Sequence, residues 1–367
     1  MRGSRPSTPS PTGRRASGPA SRSGAARSWP GAALLALSTL AAVVGRPVVP
    51  GISGEPGGTG HQAPAAAPEP IAPVPPPPPA APARLRLGEQ LFRDARLSRD
   101  GTRSCASCHD LERSGADDQA RTAGADGRPL DFNAPTVFNA ALSFRLNWRG
   151  NFRTLKEQAE AVLLDPRLMD MSWDELLGRL QADPDYRAAF AAAYGGGPER
   201  SQVLDALAAF QRSLLTPDAR FDRWLRGEHD ALTPEEARGY ALFKDYGCVA
   251  CHQGVNVGGN LFQRFGIFAA RSRTTVADLG RFALTGEERD RGVFRVPSLR
   301  NVAATAPYFH DGGEPSLAGA VRTMARSQLG RSMTEEEVGL VAAFLRTLTG
   351  EYRGRPVAAE AQQEPAR

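Results

Sequence analysis

The sequence predicts an all-α protein with two small helical domains, preceded by a leader and a Pro-rich segment. Three observations support this fold class. Capping-box patterns precede stretches with helical apolar spacing, and no stretch shows a strong strand pattern. In addition, one short cysteine motif occurs twice, far apart in the 367 residues. Each copy of that motif is therefore expected to lie at the centre of one domain.

The repeated motif is Cys-x-x-Cys-His, and its two copies use all four cysteines. The copies are Cys105-Ala-Ser-Cys108-His109 and Cys248-Val-Ala-Cys251-His252. This spacing is typical of c-type haem attachment, in which two thiols add to the vinyl groups and the adjacent imidazole ligates the iron. Paired zinc arms usually lie about 15–20 residues apart, and a thioredoxin-like pair explains neither histidine. The sequence therefore predicts two covalently bound haem c groups.

The N-terminal quarter differs in composition from the rest of the chain. Residues 1–46 combine arginines with an apolar run shorter than the ~20 residues of a comfortable membrane span, and are predicted to be a signal peptide or a membrane anchor. Residues 47–84 are predicted to be an Ala/Pro-rich disordered linker, and residues 355–367 a disordered tail. Eight arginines and two glutamates lie in residues 1–84, so the net charge of +5 belongs mostly there. A nucleic-acid partner is therefore excluded.

Helical signals dominate the remainder of the chain. Capping boxes begin at Ser172, Thr233 and Thr334, each with a glutamate three residues later. The box at Thr233 has Pro234 at the first helical position, which marks the start of a new unit. The predicted domains are a first cytochrome c-like haem domain, 85–232, and a second, 233–354.

His109 and His252 are the predicted proximal iron ligands, because each completes its motif. Three other histidines remain for the sixth positions. His61 falls in the linker, and His229 stands just before a helix cap, where a solvated loop residue is expected. His310 is the remaining candidate for a role in the site.

Several long stretches resemble a known family. They are residues 87–92, 97–105, 133–136, 248–259, 294–302 and 306–312. Together they resemble the bacterial dihaem cytochrome c peroxidase family over residues 86–350, a family whose relatives include the enzymes that mature methylamine dehydrogenase. The resemblance implies a first, peroxidatic haem domain and a second domain that receives electrons.

The resemblance also implies roles for individual residues. Met324 would close the second haem, where a thioether raises the reduction potential, although a packed core methionine is the alternative. Trp148 matches the tryptophan that lies between the haems, although it is also explained as a packed aromatic. Asn133, with the backbone carbonyls of Thr305 and Pro307, matches a calcium site, and hard oxygen ligands suit Ca²⁺.

One departure from the family concerns the first haem. Many members carry a histidine that closes this haem in the resting enzyme, and the matching residue here is Ala125. No histidine lies between His109 and His229. The first haem is therefore predicted to be open, with five ligands or with water.

A second departure concerns proton transfer at the peroxide side. The family's glutamine is present as Gln158, but Leu168 stands where a glutamate is expected ten positions later. Asp165 and Asp170 flank this position and could replace the acid, although solvent exposure is the simpler expectation for both. Met169 is interpreted as a packing residue.

Two functions follow from these expectations. The first is reduction of hydrogen peroxide in the periplasm, with electrons from a small donor protein, either a c-type cytochrome or a cupredoxin. The second is a dihaem electron-transfer protein or a protein-modifying oxidase with weak peroxidase activity, which the loss of the acid favours. A membrane tether and a homodimer stay open as further associations.

Overall fold

The computed structural model describes residues 69–269 and 275–358, which belong to one compact unit that starts at Ala66. The predicted leader, 1–46, and most of the predicted linker lie outside the described residues. The α-helices are α1 (Pro82–Arg93), α2 (Leu155–Leu164), α3 (Trp173–Ala182), α4 (Pro184–Tyr194), α5 (Arg200–Ser213), α6 (Arg220–Leu225), α7 (Pro234–Asp245), α8 (Phe282–Thr285), α9 (Leu317–Leu329) and α10 (Glu335–Arg346). The prediction of an all-α fold is confirmed. None of the described helices is long and apolar enough to cross a membrane.

Two short antiparallel sheets of two strands each, and several 3₁₀ turns, complete the secondary structure of the described residues. The sheets pair β1 (Phe262–Arg264) with β2 (Val293–Arg295), and β3 (Glu351–Tyr352) with β4 (Arg355–Pro356). In the first sheet Phe262 lies opposite Arg295. This pairing brings the chain after the second cysteine motif back to the segment that precedes the 306–312 stretch.

The predicted helix starts correspond to real caps. Thr233 and Thr334 each accept a hydrogen bond from the backbone N–H of the glutamate three residues later, and each glutamate side chain accepts one in return. At Ser172 only the forward bond forms, from the Glu175 N–H to the serine hydroxyl. Capping residues thus place α3, α7 and α10 at their predicted starts.

The helices around each cysteine motif form one of two helical units, here called the first and the second unit. Each unit contains one pair of tightly crossed helices, and a glycine lies at each crossing. Helix α1 packs on α5, and a Cβ at Gly88 would collide with the backbone oxygen of Ala206. Helix α7 packs on α10, and a Cβ at Gly239 would collide with the backbone oxygen of Leu340. Each unit therefore contains the same kind of close contact between two helix backbones, which only glycine permits without movement.

Gly239→Ala is expected to lower the free energy of unfolding by about 1–3 kcal/mol, because the new methyl group overpacks the crossing of α7 and α10. Gly339→Ala is the matched control, since Gly339 lies on α10 with open space around its Cβ position. The control should be neutral or stabilising by up to ~1 kcal/mol. Denaturant titration of the holoprotein measures both, and equal effects would contradict the close-contact explanation.

Helix α6 precedes the boundary predicted after residue 232 but packs on the helices that follow it. Phe221 of α6 is 0% exposed and lies in one core with Tyr240 and Phe344. The short helix therefore connects the two units, and the boundary itself stays a prediction.

The predicted disordered linker is wrong for its last part. Residues 69–74, here called the N-terminal strap, pack on the second unit, where Ile71 and Val74 are each 2% exposed. The Gly254 N–H donates to the Pro70 oxygen at 2.8 Å. The strap thus connects to the loop that follows the second cysteine motif, and α1 then begins at Pro82.

The predicted disordered tail is wrong for residues 355–358. Strand β4 pairs with β3, and Val357 is 5% exposed within the core of the first unit. Tyr352 packs against Phe138 of the first unit, with ring centroids 5.0 Å apart. The strap precedes the first unit in sequence but packs on the second unit. Strands β3 and β4 follow the second unit in sequence, and Val357 after them packs in the core of the first unit.

A buried ion pair fixes the strap. Arg300 is 2% exposed and donates to Asp222 Oδ1 at 2.7 Å, to the Ala72 oxygen at 2.8 Å and to the Val255 oxygen at 2.9 Å. Asp222 is 0% exposed, and burial raises the pKa of its carboxyl group despite the guanidinium. One side chain thus joins α6, the strap and the loop after the second motif.

Asp222→Asn is expected to destabilise the protein by about 3–5 kcal/mol, because it leaves the Arg300 charge buried without its partner. Asp218→Asn is the control, since Asp218 forms an exposed pair with Arg226 that is worth about 0–1 kcal/mol. Thermal unfolding of the holoprotein measures both changes. A loss below ~1 kcal/mol in Asp222→Asn would show that the buried pair does not hold the strap.

Candidate active site

Both cysteine motifs adopt the same local structure. Each begins with a short 3₁₀ turn, Cys105–Ser107 in the first motif and Cys248–Ala250 in the second. The His109 N–H donates to the Cys105 oxygen at 3.0 Å, and the His252 N–H donates to the Cys248 oxygen at 2.9 Å. The turn therefore holds both thiols and the following imidazole on one short segment, as haem attachment requires.

The two imidazoles are oriented for iron ligation. Nδ1 of His109 lies 3.1 Å from the Gly115 oxygen, and Nδ1 of His252 lies 3.3 Å from the Val257 oxygen. A carbonyl oxygen only accepts, so Nδ1 carries the proton and Nε2 keeps its lone pair for a metal. Burial lowers the pKa of His109, and it lowers the pKa of His252 to about 4, so both rings are neutral.

Both histidines line one cavity of about 290 Å³. Its walls are mostly apolar, and the cysteines are free thiols rather than disulfides. Burial raises the pKa of the Cys105 thiol to about 12 and that of the Cys248 thiol to about 11. Neutral imidazoles, free thiol pairs and an apolar cavity are the environment that two haem c groups need.

Trp148 is held at both ends next to this cavity. Its indole Nε1 donates to the Asn133 oxygen at 2.9 Å, and its own backbone oxygen accepts from the Arg295 N–H at 2.9 Å. It lines the 290 Å³ cavity and also a second, smaller cavity of about 70 Å³. His252 lines both cavities as well. Trp148 thus lies beside the second motif, and its role between the haems stays a prediction.

Met324 lies on α9 and also lines both cavities, together with His252 and Cys251. Met333 lines only the larger of the two cavities. The structure thus brings Met324 into the surroundings of the second motif, which its assignment as the sixth ligand requires. That assignment stays a prediction.

His310 has a different environment from the two motif histidines. It is 5% exposed, its Nε2 lies 2.8 Å from Asp278 Oδ1, and its ring stacks on Phe294 with centroids 4.5 Å apart. Its backbone oxygen accepts from the Asn133 N–H at 2.9 Å. His310 lines only the smaller cavity, where the carboxylate and the aromatic rings fix it.

The residues expected at the peroxide side separate into two groups. Gln158, on α2, lines the larger cavity. Ala125 and Leu168 line neither cavity, and Met169 is a core residue, 6% exposed, as its packing interpretation requires. The Ala125 N–H donates to the Arg167 oxygen at 2.8 Å, which joins its loop to the turn that carries Leu168.

The two aspartates that could replace the missing acid point elsewhere. Asp165 ends α2 and its Oδ1 accepts from the Arg167 N–H at 2.8 Å. The side chain of Asp170 is 44% exposed and pairs with Arg99 at 3.2 Å. No Asp or Glu among the described residues lines either of the two cavities. Among the described residues, the larger cavity is therefore lined by the amide of Gln158 and by no carboxylate.

The three residues of the expected calcium site lie around the larger cavity. Asn133, Thr305 and Pro307 all line it. Asn133 is 8% exposed, and its Nδ2 donates to the Gln119 oxygen at 2.8 Å. Its Oδ1 is therefore the atom it can offer to a hard cation.

Comparison with known proteins decides the family. Residues 82–230 match the di-haem cytochrome c peroxidase family, and residues 236–349 match the cytochrome c family. The cytochrome c551 peroxidase of Nitrosomonas europaea is 42% identical over 288 residues, which are 78% of this chain and 86% of that protein. This chain belongs to the di-haem cytochrome c peroxidase family. The resemblance found in the sequence is thereby confirmed.

Other relatives extend this result. The cytochrome c peroxidase Ccp of Escherichia coli is 42% identical over 79% of this chain, and the chain spans 63% of that protein's length. A solved structure described as a MauG-like protein associated with microbial copper homeostasis aligns with a TM-score of 0.66 and 32% identity, and covers 76% of this chain and 94% of its own. Two cytochrome c-like domains, two haem c groups and membership of a peroxidase family are therefore established.

One charged residue of the site was not predicted from the sequence. Arg295 lines both cavities and is 7% exposed, although it lies within the 294–302 stretch that carries the family resemblance. A signal existed, since an arginine between Phe294 and Val296 breaks an apolar strand. A buried cation at this place needs an anionic partner.

Proposed function

We propose that the protein reduces hydrogen peroxide to water in the periplasm, with electrons from a small donor protein, a c-type cytochrome or a cupredoxin. Electrons enter at the second haem, held by His252 and Met324, and pass Trp148 to the first haem, held by His109. Each turnover takes two electrons and two protons and yields two water molecules. When bound, the haems supply the electron relay and the iron at which peroxide is cleaved.

One observation carries the proposal: Trp148 lines the cavity that both motif histidines share, and it also lines the smaller cavity beside Met324. Electron transfer between the two sites therefore has an aromatic side chain available on its path. Gln158 supports the assignment of the first haem as the reacting one, because its amide can orient peroxide. Export follows from the attachment of haem c outside the cytoplasm and from the predicted leader.

The same proposal includes an open first haem. Of the four histidines that the structure describes, only His109 and His252 line the larger cavity. No imidazole is thus placed to close the first haem, so the oxidised enzyme should react without prior reduction. Calcium bound by Asn133 and the carbonyls of Thr305 and Pro307 would tie the two units together beside Trp148.

Two measurements on the holoprotein test this proposal. The oxidised enzyme should show one high-spin haem, and steady-state peroxide reduction with a reduced donor cytochrome should start without a lag. A low-spin first haem would contradict the open site. Peroxide turnover no faster than that of free haem would overturn the peroxidase assignment.

A second function is favoured by a separate observation: none of the described residues that line the two cavities is an Asp or a Glu. A dihaem electron-transfer protein or a protein-modifying oxidase needs less efficient peroxide cleavage than a peroxidase does. Retention of Met324 favours the peroxidase, because the resemblance places a tyrosine there in the relatives that mature methylamine dehydrogenase. The turnover measurement separates the two functions.

A further inference from the structure

Arg295 is a buried cation, and no carboxylate among residues 69–269 and 275–358 pairs with it. Its side chain donates to two backbone oxygens, from Nε to Asn147 at 3.2 Å and from Nη1 to Val296 at 3.4 Å. The residue is 7% exposed, and burial lowers the pKa of the guanidinium to about 10. It therefore stays charged at neutral pH, and two carbonyl contacts do not neutralise that charge.

The contrast with Arg300 shows what is absent around Arg295. Arg300 is buried as well, at 2% exposed, but it has Asp222 at 2.7 Å and further backbone acceptors. A buried ion whose charge is not compensated costs several kcal/mol, so folds supply a counter-charge or a bound anion. The described part of the chain places an acid beside Arg300 and none beside Arg295.

The surroundings of Arg295 indicate which anion it accepts. The 70 Å³ cavity is lined by Arg295, by Arg264 and by the second-motif residues Cys251 and His252, together with Met324. No residue of the first motif lines this cavity, and neither does an Asp or a Glu. It is therefore an electropositive pocket at the edge of the second haem site.

We propose that Arg295 binds a propionate carboxylate of the second haem within this small cavity. Haem c carries two propionates that must be neutralised or hydrated where they enter the protein. A guanidinium matches a carboxylate in a charge-assisted, two-pronged hydrogen bond, and burial strengthens it. The propionate of the second haem would thus be the anionic partner of Arg295.

The proposed contact also has a consequence for Trp148. The Arg295 N–H donates to the Trp148 oxygen, and its Nε donates to the oxygen of the preceding residue, Asn147. Arg295 thus links the carboxylate of the second haem to the backbone that carries Trp148. It is a positioning residue for the electron path rather than a catalytic residue.

Removal of the charge tests the proposal on the holoprotein. Arg295→Gln should lower the reduction equilibrium constant of the second haem about tenfold, or 59 mV for a one-electron couple, because the carboxylate charge then favours the oxidised iron. The resonance Raman band of propionate bending should shift in the same variant. Arg289→Gln removes an equal charge at an exposed position of the neighbouring loop and should change the equilibrium less than about threefold.

Mass spectrometry first confirms that both haems are attached in each variant. If Arg295→Gln does not fold, Arg295→Lys takes its place: it keeps the charge but loses the planar fork, so the Raman band should shift while the second-haem equilibrium stays within about threefold. Unchanged Raman and redox behaviour in the variant that folds would overturn the proposal. A larger shift at the first haem than at the second, or an equal shift in Arg289→Gln, would overturn it as well.

Discussion

Leu168→Glu is expected to raise kcat/KM for hydrogen peroxide about 100-fold. Cleavage of peroxide needs a group that takes a proton from one oxygen and delivers it to the other, a service worth about 10²- to 10⁴-fold in rate. The described residues that line the larger cavity include the amide of Gln158 but no carboxylate. The backbone of Leu168 is fixed by its N–H bond to the Asp165 oxygen at 3.0 Å, and glutamate reaches further than leucine from that place. The lower end of the range is therefore the appropriate expectation.

Leu164→Glu is the matched control for this experiment. Leu164 is 43% exposed at the end of α2, so a glutamate there adds the same charge to the same region without reaching the cavity. Stopped-flow mixing of the oxidised holoprotein with peroxide measures both variants. The explanation that a missing carboxylate limits peroxide cleavage fails if Leu168→Glu reacts at the wild-type rate. It also fails if Leu164→Glu gives the same increase.

Local rules predicted the parts of the fold that depend on neighbouring residues. The capping bonds at Thr233 and Thr334 involve residues three positions apart, so the sequence contains the whole interaction. The cysteine motifs are local in the same way, because the turn after Cys105 or Cys248 sets the position of its histidine. Such features need no knowledge of what packs against them.

The ends of the two units could not be predicted in this way. Composition makes residues 47–84 an extended linker, and two apolar side chains, Ile71 and Val74, are too few to show a period. Ile71 packs with residues of α6, α7 and α10, which lie more than a hundred residues later in the chain. The anchoring pair of Arg300 and Asp222 is equally distant in sequence, and charged residues are normally expected at the surface.

The residues of the site also differ in whether their own neighbourhood in the sequence predicts them. His109 and His252 followed from the motifs themselves, whereas Met324, Trp148 and Gln158 required the family resemblance, because nothing in their own neighbourhoods indicates a haem. The structure gathers all five around the larger cavity. Arg295 was missed because its function depends on the absence of an acidic partner, and only the folded arrangement reveals such an absence.

Met324→Ala is expected to lower the reduction equilibrium constant of the second haem at least about 100-fold, which is 118 mV for a one-electron couple. The thioether of a methionine ligand raises the potential of a haem, and alanine cannot replace it. The charge-transfer absorption of the oxidised thioether–iron pair should disappear in the same variant in which the reduction potential falls. Electron delivery from the donor then slows, because the second haem no longer accepts electrons readily.

Met333→Ala identifies which methionine is responsible. Met333 lines the larger cavity with Met324, but it does not line the smaller cavity that His252 and Met324 share. It should therefore cost packing and leave the potential of the second haem within about threefold of the wild-type equilibrium, or ~30 mV. Spectroelectrochemical titration of both variants decides the assignment. A wild-type potential in Met324→Ala would make Met324 a core residue of α9, and a large drop in Met333→Ala would assign the ligand to Met333, in the segment between α9 and α10.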